Sequence, residues 1–205
     1  MNLSKIARVA RLTSSQLLPV EINKPNYDRH SLKIGIVHFG IGAFHRAHQA
    51  VYLDEVLSQD HGNWMICGVS LRNSTVRKQM LPQDFLFTVA ERTESSDKLK
   101  VVGSVKEVLF APRQQLKVLK RLADFQTKLV TLTISEKGYC HDPSSGKLLK
   151  KHPDILHDLA NYPFPISAIG YLVAGLDLRY KAGLPPFTVL SCDNLPENGK
   201  MLRNL

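Results

Sequence analysis

The sequence of 205 residues specifies a doubly wound α/β fold, and three observations carry that reading. Short apolar runs suited to buried strands alternate with stretches of helical periodicity, the pattern that builds a mostly parallel sheet covered on both faces. The first run, residues 33–39, passes directly into Gly40-Ile41-Gly42 and then into a helix-competent segment. Composition allows a sizeable core, with 43% hydrophobic and 22% charged residues.

Residues 33–39 read as the first strand and 42–58 as the first helix, with Ala47, Ala50, Val51, Val56 and Leu57 on its apolar face. Residues 64–69 form a second apolar run, followed by a polar helix over 75–81. Residues 85–89 and 99–105 are both strand-like, and the polar link between them makes this pair an added hairpin. Pro112 opens a helix to Phe125, since proline is tolerated in a first turn, and 129–134 is a further buried strand. Helices follow over 152–161 and 166–181. Gly183-Leu184-Pro185-Pro186 ends the second, and 187–191 is the last strand. Pro196 to Lys200 opens another helix near the end of the sequence, so the chain reads as cut short. Residues 1–30 read as an N-terminal arm and 31–205 as one Rossmann-like dinucleotide-binding domain.

The strand–turn–helix at 35–50 has the chemistry of a diphosphate site. Gly40 permits the tight turn, Gly42 lets the backbone approach a diphosphate, and the amides of the helix N-terminus face it. His45 stands where a third glycine is usual. Arg46, in the first helical turn, opposes the helix dipole, which an anionic partner would explain. Beyond Val69 no carboxylate occurs until Asp84, while Arg72 and Arg77 are near. NAD specificity normally uses an acid at this point, so NADP is open or even favoured beside NAD.

Other function classes find less support. The formal charge of +9 is scattered, without the aromatic interleaving that stacks bases, and nucleic acid is not an expected partner. No apolar run is long enough to span a membrane. Cys67, Cys140 and Cys192 are widely spaced and odd in number, which points to a reducing compartment and small buried or half-buried residues. The first twenty residues hold Lys5, Arg8 and Arg11 and no acid, a composition shared with transit peptides. We read them as an arm of a cytoplasmic protein. His45 and His48 lie three apart on a helix, but no third ligand joins them, and no metal is expected.

Three motifs in order carry a family resemblance: G-I-V-H-F-G-I-G-A-F-H-R-A-H-Q-A at 35–50, T-I-S-E-K-G-Y-C at 133–140 and S-C-D-N-L-P-E-N-G-K at 191–200. From Tyr27 to Lys200 the sequence resembles the polyol-specific long-chain dehydrogenases, the family of mannitol 2-dehydrogenase and fructuronate reductase. The resemblance implies NAD- or NADP-dependent hydride transfer between a polyol (or hexonate) and its ketose (or keto-uronate). It also implies a C-terminal helical domain that bears the catalytic lysine in a Lys…Asn…His motif. That domain is missing from this sequence, and a truncated, non-catalytic dinucleotide-binding module is the alternative reading. An interdomain surface left exposed would favour association.

On the family's pattern Asn194 is the catalytic candidate, stabilising the substrate oxygen through a neutral amide donor. Asp193 beside it reads as a cap or as a residue that supports the site from behind. Gly40, Gly42, Phe44, His45, Arg46, Arg72 and Glu136 are the cofactor-binding candidates. Lys137 is a solvated loop residue. The Gly40–Arg46, Ser135–Cys140 and Ser191–Asn198 loops should converge on one crevice beyond the carboxyl ends of the strands.

Overall fold

The computed structural model describes residues 22–60, 62–92 and 97–205. The predicted arm lies outside the described residues as far as residue 21, as does the hairpin turn at 93–96. In chain order the elements are β1 (Ile34–Phe39), α1 (Ala43–Ala47), α2 (Gln49–Asp60), β2 (Met65–Ser70), α3 (Thr75–Met80), β3 (Phe87–Arg92), β4 (Asp97–Val102), β5 (Val105–Phe110), α4 (Ala111–Ala123), β6 (Leu129–Leu132), α5 (Ser135–Gly138), α6 (Pro153–Ala160), α7 (Ala168–Lys181), β7 (Thr188–Ser191) and α8 (Asn198–Arg203).

Five strands form one parallel sheet in the order β5-β2-β1-β6-β7, the doubly wound arrangement in which the strand order reverses beside β1. Every residue of β1 is buried, which is why this strand reads as a nearly continuous apolar run, broken only by His38, rather than an alternation. Successive side chains still part to opposite faces. Val37, Phe39, Cys67 and Val69 join the core beneath α4 and α7. Ile36 and Ile66 pack with Ala50, Met80, Phe87 and Val102 from α2, α3 and the hairpin.

The β3–β4 pair is antiparallel and separate from the main sheet, as the sequence reading has it. Several boundaries differ from that reading, and two of them change the count of elements. The run 99–105 is not one strand: Gly103 and Ser104 interrupt it, and Val105 begins β5, which enters the parallel sheet. The helix predicted over 42–58 is two, broken at His48 (φ −124°, ψ −94°). On α2 the buried positions are Ala50, Asp54 and Leu57, while Val56 is exposed. Asp54 is buried because it accepts hydrogen bonds from the Tyr27 hydroxyl (2.5 Å) and the Gly103 amide (2.8 Å).

The described part of the arm is fastened to the domain. Arg29 donates to the Gly103 and Val105 carbonyls at 2.8 and 3.0 Å and pairs with Asp84 at 2.7 Å. On the far face Gly175 of α7 lets the helix approach α4, where an added Cβ would lie 2.9 Å from Leu122. Arg179, 1% exposed, donates to the Leu122, Asp124 and Pro185 carbonyls and so satisfies the C-terminal end of α4. Among the described residues no helix is long and apolar enough to cross a membrane.

Candidate functional site

The carboxyl end of β1 is where the sheet order reverses, and its turn is fixed from several sides. Gly40 has φ +97°, and a Cβ there would lie 1.9 Å from the Thr133 carbonyl oxygen. Only glycine fits. The Gly40 amide donates to Val69 on one neighbouring strand (3.0 Å), and the Thr133 amide donates to Phe39 beside the other (2.9 Å). Gly42 is different: an added Cβ would meet nothing nearer than 3.8 Å, so its missing side chain leaves open space over the backbone.

Beneath the turn lies a polar network in an otherwise apolar strand. His38 is fully buried, with Nδ1 2.7 Å from the Thr131 hydroxyl and Nε2 2.8 Å from the Thr133 hydroxyl. Thr131 donates on to Gln49 at 3.2 Å, and Thr133 reaches the Gly40 carbonyl at 2.8 Å. The His45 ring stacks on His38 with centroids 3.6 Å apart. Burial pushes the His38 pKa well below its usual range. Burial, then the neighbouring Arg46 and His48 charges, brings His45 down to about 3. Both rings are therefore neutral at physiological pH.

Above the turn, α1 begins at Ala43 after Gly42, with no side-chain cap and no acid in its first turn. The Ala43 and Phe44 amides have no acceptor among the described residues. These are the donors an anion would meet. Arg46 folds back to donate to the Ile41 carbonyl at 3.0 Å, bracing the turn with part of its guanidinium.

Two hollows flank this turn. A crevice of about 320 Å³ is lined by Gly40, Gly42, Ser70, Arg72, Ser135 and Asp154, among others. On the other side a hollow of about 360 Å³ is walled by Phe44, His45, His48, Gln49 and Cys192. Thr133 belongs to both.

The predicted site residues are not all in one place. Gly40, Gly42 and Arg72 line the crevice, and Phe44 and His45 line the second hollow. Arg46 lines neither and braces the turn through Ile41. Glu136 and Asn194 are exposed and line neither cavity. Of the three loops expected to converge, the first two meet at the crevice, while the third contributes Cys192 to the second hollow. Cys192 is exposed rather than half-buried, because β7 is an edge strand with one side uncovered.

Asp193 supports the neighbouring loop across the sheet end. It accepts from the Ile134 and Ser135 amides at 2.9 and 3.1 Å and from the Tyr139 hydroxyl at 2.8 Å. It thus ties the loop after β7 to the first turn of α5, where Ser135 is held at φ +60°. Such a conformation persists only where neighbours impose it.

Sequence reading missed Thr133 and Asp154. Asp154 starts α6, reaches the crevice and pairs with Arg72 at 2.5 Å. Cys140, His152 and Asp154 bring possible metal-ligand atoms within 4.8 Å of one another. Two of the three are already engaged: Asp154 by Arg72, and His152 Nδ1 by the Asp154 amide at 3.2 Å. Burial raises the Cys140 thiol pKa to about 11, which keeps it protonated.

Comparison with known proteins places these features in a family setting. The mannitol dehydrogenase Rossmann domain family matches residues 34–205. An Escherichia coli oxidoreductase, YeiQ, is 45% identical over 193 residues, covering 93% of this chain and 40% of that protein. Mannitol 2-dehydrogenase of Pyricularia oryzae is 44% identical over 190 residues, covering 90% and 38%. The crystallised Pseudomonas fluorescens mannitol 2-dehydrogenase, a ternary complex with NAD and D-mannitol, superimposes with a TM-score of 0.89 at 40% identity. That match covers 95% of this chain and 41% of the other. The chain therefore spans about two-fifths of the length of the relatives it matches.

Proposed function

This chain belongs to the mannitol dehydrogenase family, and from that premise we propose that it binds NAD or NADP and serves hydride transfer between a polyol (or hexonate) and its ketose (or keto-uronate). The observation that carries the reading is the pair of hollows on either side of the Gly40–Gly42 turn, joined at Thr133. A molecule of two nucleosides linked by a diphosphate needs this layout: one cavity for each nucleoside, with free amides between them.

In this assignment the Ala43 and Phe44 amides hold the diphosphate, and Arg46 adds its remaining donors. Arg72 meets the adenosine end. Phe44 and neutral His45 wall the nicotinamide end, and Glu136, exposed on α5 outside both hollows, is the remaining cofactor-binding candidate. When bound, the cofactor supplies the hydride-accepting or hydride-donating carbon. The residues of this chain fix its position, exclude water with the apolar wall of the second hollow, and leave the reacting face open toward the loop after β7. From that loop Asn194 donates its amide to the carbinol or carbonyl oxygen, stabilising developing negative charge without adding a titratable group. Residues 31–205 act in this as one cofactor domain, in a cytoplasmic protein.

Titration of the chain with NADH and NADPH, followed by nicotinamide fluorescence, tests the reading. Saturable binding with oxidation of the reduced cofactor by fructose or fructuronate supports it in full. Binding without oxidation supports the module reading of the same chain. No binding of either cofactor overturns both.

A further inference from the structure

The end of the second strand is where folds of this kind distinguish NAD from NADP: a carboxylate receives the adenosine ribose hydroxyls, or an arginine accommodates the 2′-phosphate. Here β2 ends on Ser70, and Leu71, Arg72, Asn73 and Ser74 lead into α3 without an acid. Ser70, Arg72 and Asn73 all line the crevice. The next carboxylate along the chain, Asp84, is committed to Arg29.

The acid that does line the crevice comes from α6. Asp154 lies 82 positions beyond Arg72, its side chain is 14% exposed, and it accepts from Arg72 Nη2 at 2.5 Å. Within the crevice its Oδ2 is engaged by the arginine. Arg72 is 68% exposed on the other side of that bond. A guanidinium has five donors in a rigid fork, so one edge can hold Asp154 while the other presents free N–H groups to the crevice.

We propose that Arg72, oriented by Asp154 at the mouth of the crevice, selects NADP over NAD by pairing with the 2′-phosphate. This rests on the reading that the crevice holds a nicotinamide dinucleotide. The pairing also neutralises the carboxylate that would otherwise repel a phosphate, and Ser70 and Asn73 add neutral donors. Arg77, in the first turn of α3, has no acidic partner among the described residues and raises the local positive potential. An NAD-type contact would instead have the second Asp154 oxygen accept from a ribose hydroxyl, and the affinity ratio below decides between the two. The solved relative holds NAD, so the preference separates this chain from it.

The test is the ratio of dissociation constants for NADPH and NADH on the 205-residue chain at low ionic strength. A charge-assisted phosphate contact predicts NADPH tighter by about tenfold to a hundredfold. Arg72→Ala should bring the ratio to within about twofold of unity. Asp154→Asn should narrow it less, because the arginine remains but is no longer oriented. Ser70→Asp should invert it. Equal affinities in the unmodified chain, or a preference for NADH, overturn the proposal while leaving dinucleotide binding standing. So does an Arg72→Ala variant in which both affinities fall together and the ratio is kept. Binding of neither cofactor defeats the dinucleotide reading itself, and the selectivity falls with it.

Discussion

The ends of β1 and β7 lie two strands apart in one sheet and are built in opposite ways. At the end of β1 the backbone is held from both neighbouring strands, the strand is wholly buried, and two threonines and two histidines pack beneath the turn. Along β7 residues alternate between exposed and half-buried, Leu190 stands 45% exposed, and Asp193 is the chief anchor of the loop that follows. A diphosphate requires amides fixed before it arrives, because ordering them on binding would cost the affinity that they supply. Asn194 has no such support. The rigid end is thus the one assigned to the cofactor, and the open end the one assigned to the substrate.

Mutations at the two ends should separate these roles. Gly40→Ala has the largest expected effect, since both the positive φ and the Thr133 carbonyl oppose a side chain. Unfolding in urea should show a loss of about 2–4 kcal/mol, with cofactor binding abolished. Gly42→Val strikes the same turn without a clash inside the protein. It should keep stability to within about 1 kcal/mol while weakening NADPH binding about tenfold, as its side chain fills the space that the proposal assigns to the diphosphate. If both variants lose stability equally, the distinction between the two glycines is wrong.

Acid should attack the β1 end selectively. His38 and His45 are held neutral in the folded protein, with pKa values below those of the unfolded chain. The unfolded state therefore takes up more protons as pH falls. Stability is fully present above about 6.5 and declines below it, by up to about 1.4 kcal/mol per pH unit for each histidine. For His45 the decline continues toward its folded value of about 3. Chemical denaturation between pH 7 and pH 5 measures the slope, and His45→Phe should reduce it. A flat profile would show that the two rings are not the neutral, buried pair described above.

Effects at the β7 end should be smaller. Asp193→Asn keeps the shape but replaces a charged acceptor with a neutral amide. We expect a loss of about 1–2 kcal/mol, with hydrogen exchange rising first at the Ile134 and Ser135 amides. Leu190→Lys should change stability by less than about 0.5 kcal/mol. Because it removes exposed apolar surface at the edge strand, it should also reduce any self-association seen by light scattering. A monodisperse wild-type monomer would remove the basis for that second effect.

Much of this contrast is legible in the sequence, for local reasons. The strand, the paired glycines and the helix that follows are contiguous, so spacing alone indicates the turn. Asp193 lies inside a recognisable S-C-D-N run. What pattern cannot show is partnership over distance. Asp154 reaches Arg72 from 82 positions away. The hydroxyls of Thr131 on β6 and Thr133 just beyond it meet His38 only once the sheet has formed. The break at His48 was hidden because the helical periodicity continues across it, and β5 was hidden because Val105 looks like the end of the preceding strand. His45 suits a helix start facing an anion, yet the ring turns inward onto His38. The determining fact was the stacking partner, which sequence spacing does not reveal.

Crystallisation of the chain with a reduced nicotinamide dinucleotide tests the central claim most directly. The account predicts the diphosphate over Gly42, within hydrogen-bond distance of the Ala43 and Phe44 amides, with one nucleoside in each hollow and Thr133 between them. A dinucleotide bound elsewhere, or crystals grown at saturating cofactor with that turn bare, would contradict it.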